Sequence, residues 1–336
     1  MLKKIAVFGL SLALLAGAAL AVDLNGAGAT FPYPIYSKWF AQYKNEKGSQ
    51  VNYAPIGSGG GIRQFMAGVV DFGASDAPMS DKEIADAGGD VIHIPTVAGA
   101  VAVIYNAGFD GLKLDGQTLA AIYLGEITKW NDDKIAALNP GVSLPDKKIL
   151  VAYRSDSSGT SDIFTHYLAK VSTGWASKVG AGKSVAWPVG VGGKGNPGVA
   201  GAVKNNSGAI GYVELAYAAT NNLPVASLKN REGKFVLPSV DGTISAMAGG
   251  LSKIPGDYRA EILNQRGAES YPICGLTWIL VHKKIANAEK GEALKNVLTW
   301  ALTSGQKYAK NLYYAPLPEG LQAKVLKTID SISAGN

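Results

Sequence analysis

A repeated order of short apolar run, polar turn and helical stretch constrains this 336-residue chain more than any other feature. Val51–Ile56 and Val69–Ala74 read as strands, with helices over Pro34–Tyr43 and Gly60–Ala67 before them. The same order continues with a strand at Val101–Tyr105 and a helix beginning at Thr118–Tyr123. A strand at Ile149–Tyr153 is followed by a helix at Ser161–Lys170. Ala209–Glu214 and Trp278–His282 add strands, and Ala286–Leu302 reads as a long amphipathic helix. Such an order predicts an α/β protein with a parallel or mixed sheet covered by helices on both faces. In sheets of that kind ligands sit beyond the carboxyl ends of the strands, where polar turns meet helix N-termini. The length favours two domains over one. No repeat or low-complexity linker divides the chain, so two domains would share several crossings, with a hinge and a cleft.

The first residues read as a targeting segment. Lys3 and Lys4 precede an uncharged apolar run from Ile5 to Ala21, closed by Ala19-Leu20-Ala21 in the small-x-small pattern of a cleavage site. Residues 1–21 are therefore expected to be a cleavable signal peptide, the mature protein lying outside the cytoplasm. The single Cys274 lies in an apolar strand-like run and is expected to be buried and inert. Net charge is +6, or +4 without Lys3 and Lys4, and the basic residues are scattered. That excludes the clustered footprint of a nucleic-acid-binding protein.

Four turns share one chemistry: Gly26–Pro34, Gly57–Ile62, Gly73–Ser80 and Arg154–Ser161. Each is small, rich in hydroxyls and placed where a helix begins, and Thr30 reads as a helix cap in the first. Helix starts leave unpaired N–H groups with partial positive charge, so several converging starts make an anion site with few cationic side chains. Glycines let the backbone come close, hydroxyls donate, and Arg154 offers a planar fork for two oxyanion oxygens. Taken singly, each turn is better read as a capped helix start. The anion reading requires that all four meet in space.

Catalysis would need a nucleophile beside a base, or a metal. His93, His166 and His282 are scattered without metal-ligand spacing, and no Gly-x-Ser-x-Gly elbow occurs at the serine turns. Gly192-Gly-Lys-Gly resembles a phosphate loop but has Gly195 where Ser or Thr is required and Pro188 in place of the upstream glycine. The chain is therefore read as a non-enzyme with no cofactor, not as a secreted phosphatase or serine hydrolase.

In their order and spacing the four turns resemble those of the periplasmic phosphate-binding proteins of phosphate ABC importers. The likeness extends through Leu119–Trp130, Trp187–Asn196, Gly208–Glu214 and the Tyr-Ala-Pro-Leu-Pro near the C-terminus, and so spans nearly the whole mature chain. It implies a two-lobed periplasmic-binding-protein fold of type II, mixed sheets flanked by helices, with the ligand cleft between the lobes. One lobe is expected over 22–98 and 273–336, the other over 99–272. The resemblance implies phosphate contacts from Thr30, the Phe31 N–H, Ser58, Asp76, Arg154, Ser158, Gly159 and Thr160, with Asp156 paired to Arg154. Gly59 departs from members that carry a second serine there. That change removes a hydroxyl and is expected to keep the backbone donor. The implied partners are inorganic phosphate and the transmembrane permease subunits, with the protein itself a monomer.

A carboxylate facing an anion is repulsive unless the ligand brings a proton to share. Phosphate near neutral pH carries at least one P–OH and sulfate none, so Asp76 separates phosphate from the alternatives sulfate, molybdate and tungstate. A phosphonate is a further alternative ligand.

Overall fold

The structure, a computed structural model, describes residues 22–250 and 254–335, so the expected signal peptide lies outside the described residues. The chain opens with β1 (Leu24–Gly28), α1 (Tyr33–Lys47), β2 (Val51–Pro55), α2 (Ser58–Met66), β3 (Phe72–Ser75), α3 (Asp81–Asp86) and β4 (Val91–Asn106). Then come β5 (Lys113–Leu114), α4 (Gly116–Tyr123), α5 (Asp133–Leu138), β6 (Leu150–Arg154), α6 (Gly159–Val171), α7 (Thr173–Lys178), β7 (Val191–Gly193) and α8 (Gly195–Asn205). β8 (Ala209–Glu214), α9 (Leu215–Thr220), β9 (Ser227–Lys229), β10 (Phe235–Val236) and α10 (Val240–Gly250) follow. The chain closes with β11 (Cys274–His282), β12 (Lys284–Ile285), α11 (Ala288–Leu302), β13 (Ala315–Pro316), α12 (Glu319–Asp330) and β14 (Ser333–Ala334).

The main sheet is mixed and runs β2-β1-β3-β11-β4-β8-β6-β7, with β13 added to β4. β4 is the strand that joins its two halves. Val91–Ala100 pair with β11, and Val101–Asn106 pair with β8, both antiparallel. Strand direction follows from these pairings. β1, β2 and β3 run the same way as β4, whereas β6, β7 and β8 run against it. The carboxyl ends of the two parallel sets therefore face each other, and both sets of polar turns open toward the middle.

Each half has its own aromatic core. Tyr36, Phe40, Tyr53 and Phe72 pack together around β1–β3. Around β6 and β8, Phe164 stacks on Tyr212 with centroids 4.2 Å apart, beside Tyr123 and Trp187. The two aromatic groups belong to one continuous apolar core that runs along β4 and β11 between them, and each fully buried side chain in it is worth about 1.5–3 kcal/mol.

Several expectations need adjusting. Val101–Tyr105 is the second half of a 16-residue strand, not a strand of its own. Pro95 hid the first half, since proline cannot donate to a ladder and belongs at edges or bulges. It sits at a bulge here: the register shifts between Thr277, opposite Val97, and Trp278, opposite Pro95. The strand expected from Val69 starts only at Phe72, because the chain is still turning after Gly68, which has φ +65°. Cys274 is fully buried as expected, and burial pushes its thiol up to about 12.

Candidate functional site

The strand ends deliver the four turns to one place. α2 reaches it because three glycines open the helix. A Cβ on Gly61 would lie 2.4 Å from the Gly28 Cα and 2.6 Å from the Ala27 carbonyl oxygen, so the helix start lies directly on β1. Ser58, at the first position of α2, is fully buried. Its hydroxyl accepts from the Asp76 N–H (3.2 Å), just past β3, and from the Gly159 N–H (3.0 Å), which opens α6 in the opposite lobe.

Arg154 is the last residue of β6 and is 3% exposed. Its Nε and Nη2 donate to the two carboxylate oxygens of Asp156 at 2.8 and 2.6 Å, and its Nη1 donates to Thr160 Oγ1 at 3.2 Å. Burial works against charge on Asp156, but the hydrogen bonds and charge of Arg154 outweigh it and hold the carboxyl below its usual range. Asp156 also accepts the Gly195 N–H at the start of α8. The guanidinium is thus neutralised and fixed by its own neighbour.

Thr30 closes the circle. Asn196, at the start of α8, donates its backbone N–H and its Nδ2 to Thr30 Oγ1 (3.1 and 2.9 Å), and the same Nδ2 reaches Thr160 Oγ1 (3.2 Å). Tyr217 donates its OH to the Thr30 carbonyl and Tyr314 to the Phe31 carbonyl, at 2.5 and 2.6 Å. These bonds leave the backbone N–H groups of Phe31, Ser58, Gly60 and Thr160 without an acceptor among the described residues. Four such donors from three helix starts make an electropositive cradle with little net charge.

Asp76 places a carboxyl among these donors without an ion-pair partner of its own among the described residues. It is 3% exposed, and Thr277 Oγ1 donates to its Oδ1 at 2.9 Å. Burial raises its carboxyl to about 7, with Thr277 and Arg154 pulling the other way. Glu214, at the end of β8, is fully buried, and burial raises its carboxyl well above the usual range. It lies behind the site and is bonded through Oε2 to Tyr314.

Hydrogen bonds thus join Thr30, Arg154, Asp156 and Thr160 through Asn196, and join Ser58, Asp76 and Gly159 with one another; the two sets meet at the Gly159–Thr160 peptide, with Phe31 beside Thr30. Cavities among the described residues border that cluster. A cavity of about 240 Å³, bordered by Asp162, His166, Arg259 and Trp278, reaches Asp76. Another of about 210 Å³, bordered by Tyr33, Lys194 and Tyr217, reaches Thr30 and Asp156 from the other side.

Three details differ from the sequence reading. Thr30 does not cap α1 with its side chain; Pro32 occupies the cap position and the Thr30 hydroxyl turns to Asn196. Ser158 caps α6 by accepting the Ser161 N–H, and its own N–H goes to the Lys183 carbonyl, so only its hydroxyl proton remains free. The Gly59 N–H is not available either, because it donates across the lobes to the Ser157 carbonyl. Sequence reasoning also missed Asn196, Thr277, Tyr217 and Tyr314. Asn196 begins a helix directly after the Gly192-Gly-Lys-Gly turn, the same signal that marked the other turns. Thr277 is a lone hydroxyl in an apolar strand. The two tyrosines carry no local signal.

Opposed strand ends, helix starts aimed inward and a buried cluster between two lobes define a solute receptor of the periplasmic-binding-protein kind, and the pattern of the PBP superfamily domain matches residues 16–304. The phosphate-binding protein PstS of Pasteurella multocida is 45% identical over 310 residues, covering 91% of this chain and 89% of its own. PstS of Xylella fastidiosa is 43% identical over 309 residues, covering 90% and 84%. The solved structure of PfluDING, a high-affinity periplasmic phosphate-binding protein bound with phosphate, shares the fold at TM-score 0.72 and 23% identity, over 90% of this chain and 93% of that one. The chain belongs to the PstS family of phosphate-binding proteins.

Proposed function

We propose that this protein binds one inorganic phosphate ion between its lobes and delivers it to the transmembrane permease of a phosphate ABC importer. The observation that carries the reading is a buried carboxyl, Asp76, set among backbone and hydroxyl donors that would otherwise suit any small oxyanion. Thr30, the Phe31 N–H and Ser58 would hold the ion from one lobe. Arg154, Ser158 through its hydroxyl, Gly159 and Thr160 would hold it from the other, while Asp76 takes the ligand's own hydrogen. The Gly159 N–H and the Ser58 hydroxyl, which meet across the lobes, would both turn to the ion while the starts of α2 and α6 stay packed together. Asp156 positions Arg154. Chain segments 22–98 with 273–336, and 99–272, form the two lobes, a division supported by the change of partner of β4 between Ala100 and Val101.

The site binds and does not turn its ligand over. His93 accepts the Met79 N–H through Nε2, and His166 sits on Asp162 at the cavity rim, so neither stands beside the buried hydroxyls as a base. Lys3, Lys4 and the apolar run after them would export the protein to the periplasm, where it acts as a monomer.

Radiolabelled phosphate in equilibrium dialysis, competed with arsenate and sulfate, tests the reading. Arsenate, which keeps a proton, should displace the label; sulfate should not at pH 8. Equal displacement by both would refute the role of Asp76. Because only the closed form offers both donor sets, added phosphate should also lower the radius of gyration in solution scattering.

A further inference from the structure

Thr277 stands on β11, outside all four turns, and its contacts suit one purpose. Its side chain is fully buried, and its hydroxyl has one proton to give. Asp76 Oδ1 lies at 2.9 Å and the Ser75 carbonyl at 3.5 Å, so the proton goes to the carboxylate. The bulge between Thr277 and Trp278 sets this aim, and the Thr277 carbonyl is itself held by Thr96 Oγ1 at 3.2 Å, which in turn meets Tyr36 OH. Oδ2 faces the other way, toward Ser58 Oγ at 3.5 Å and the start of α6.

We propose that the Thr277 hydroxyl is a specificity-determining group: by donating to Asp76 Oδ1 it commits that oxygen as an acceptor and leaves Oδ2 as the one place where carboxylate and ligand can share a hydrogen. The inference rests on the reading of the site as a phosphate site. A single proton must lie between Oδ2 and the nearest ligand oxygen. Phosphate brings it. Sulfate has none, so it can enter only when Asp76 itself is protonated. The Thr277 bond favours ionised Asp76 and so withholds that proton from sulfate.

Other groups around Asp76 leave this control to Thr277. Among the groups that favour the ionised carboxyl Thr277 acts most strongly, ahead of Arg154 on β6 and the Ser58 hydroxyl with its long 3.5 Å bond to Oδ2, while Asp162 on α6 opposes it. Tyr36, Tyr53, Tyr217 and Tyr314 are all held protonated by burial, and burial likewise pushes Glu214 toward its neutral form. Across the cavity, Arg259 is tied to Asp81 and Asp257, Glu261 to Lys170, and His166 to Asp162.

Thr277→Val keeps shape and removes the donor, while Thr277→Ser restores it. Losing one hydrogen bond to a charged group is worth about one pH unit in the Asp76 titration. Calorimetric titration of the protein with sulfate from pH 5 to 9 should show wild-type affinity falling about tenfold per unit above neutrality. In Thr277→Val the fall should begin about one unit higher, giving about fivefold tighter sulfate at pH 8 and about tenfold at pH 9, with phosphate changed less than threefold; Thr277→Ser should follow wild type. Carbon-13 titration of the Asp76 carboxyl without anion should show the same upward displacement in Thr277→Val. Sulfate profiles and Asp76 titrations that superimpose for wild type and Thr277→Val would overturn the inference alone. A wild-type protein that binds neither anion would overturn the phosphate reading and the inference with it.

Discussion

Gly159→Ala separates the folding of each lobe from their closure. Gly159 is the first residue of α6, and its N–H reaches across to Ser58. A Cβ there would lie 2.5 Å from Ser58 Oγ and 2.7 Å from both Cβ and Oδ2 of Asp76. Carbon contacts are comfortable at about 3.5–4.0 Å, so the added methyl overlaps by roughly 1 Å. Its nearest neighbours all belong to the opposite lobe, and within its own helix alanine is favoured over glycine by up to about 1 kcal/mol. The substitution therefore spares the fold and obstructs the meeting of α2, β3 and α6. Overpacking of this size costs about 1–3 kcal/mol, charged only to the closed form. Phosphate affinity should fall roughly 5- to 150-fold by calorimetry, while the melting temperature without phosphate stays the same or rises. Affinity within threefold of wild type would refute the claim that the lobes close onto Gly159.

Two further substitutions probe the site. In the folded protein the Asp76 carboxyl is raised to about 7, so between about pH 4 and 7 the folded state holds more protons than the unfolded one. Its contribution to stability is full below about pH 4 and is lost as pH rises through 7, by at most about 4 kcal/mol. Asp76→Asn should remove most of this fall between pH 5 and 8 in urea denaturation, weaken phosphate binding modestly and erode discrimination against sulfate; an unchanged fall would show that the carboxyl titrates elsewhere. Gly59→Ser would put its Cβ 2.1 Å from Ser157 Oγ, so it should weaken phosphate binding by roughly tenfold or more, and a paired Ser157→Gly should restore at least half of the loss in free energy. A double substitution no better than Gly59→Ser alone would show that the two positions do not meet.

The periodic elements were legible because their signals are local. Ala209–Glu214 appears in the structure as read, and α2, α6 and α11 stand within two residues of their expected limits. The four turns were legible for the same reason, since helix starts need hydroxyls and glycines whether or not they bind anything. Their convergence depends on strand direction, which is fixed by the long-range pairing of β4 with β11 and β8 and leaves no mark on a single segment. The same holds for Thr277, which comes within 2.9 Å of Asp76 although 201 positions separate them in the chain. Gly59 shows the limit in the other direction. As a residue type it reads as an exposed donor, yet its N–H is taken up by Ser157 of the facing lobe.

A high-resolution crystal structure of the protein grown with phosphate at pH 8 tests the central claim most directly. One phosphate should lie between the Phe31 and Thr160 N–H groups and the Arg154 guanidinium, with Asp76 Oδ2 at about 2.5–2.7 Å from one of its oxygens, the length of a hydrogen bond from O–H to a carboxylate. A phosphate bound elsewhere, or one held here with every oxygen more than 3.5 Å from Asp76, would contradict it.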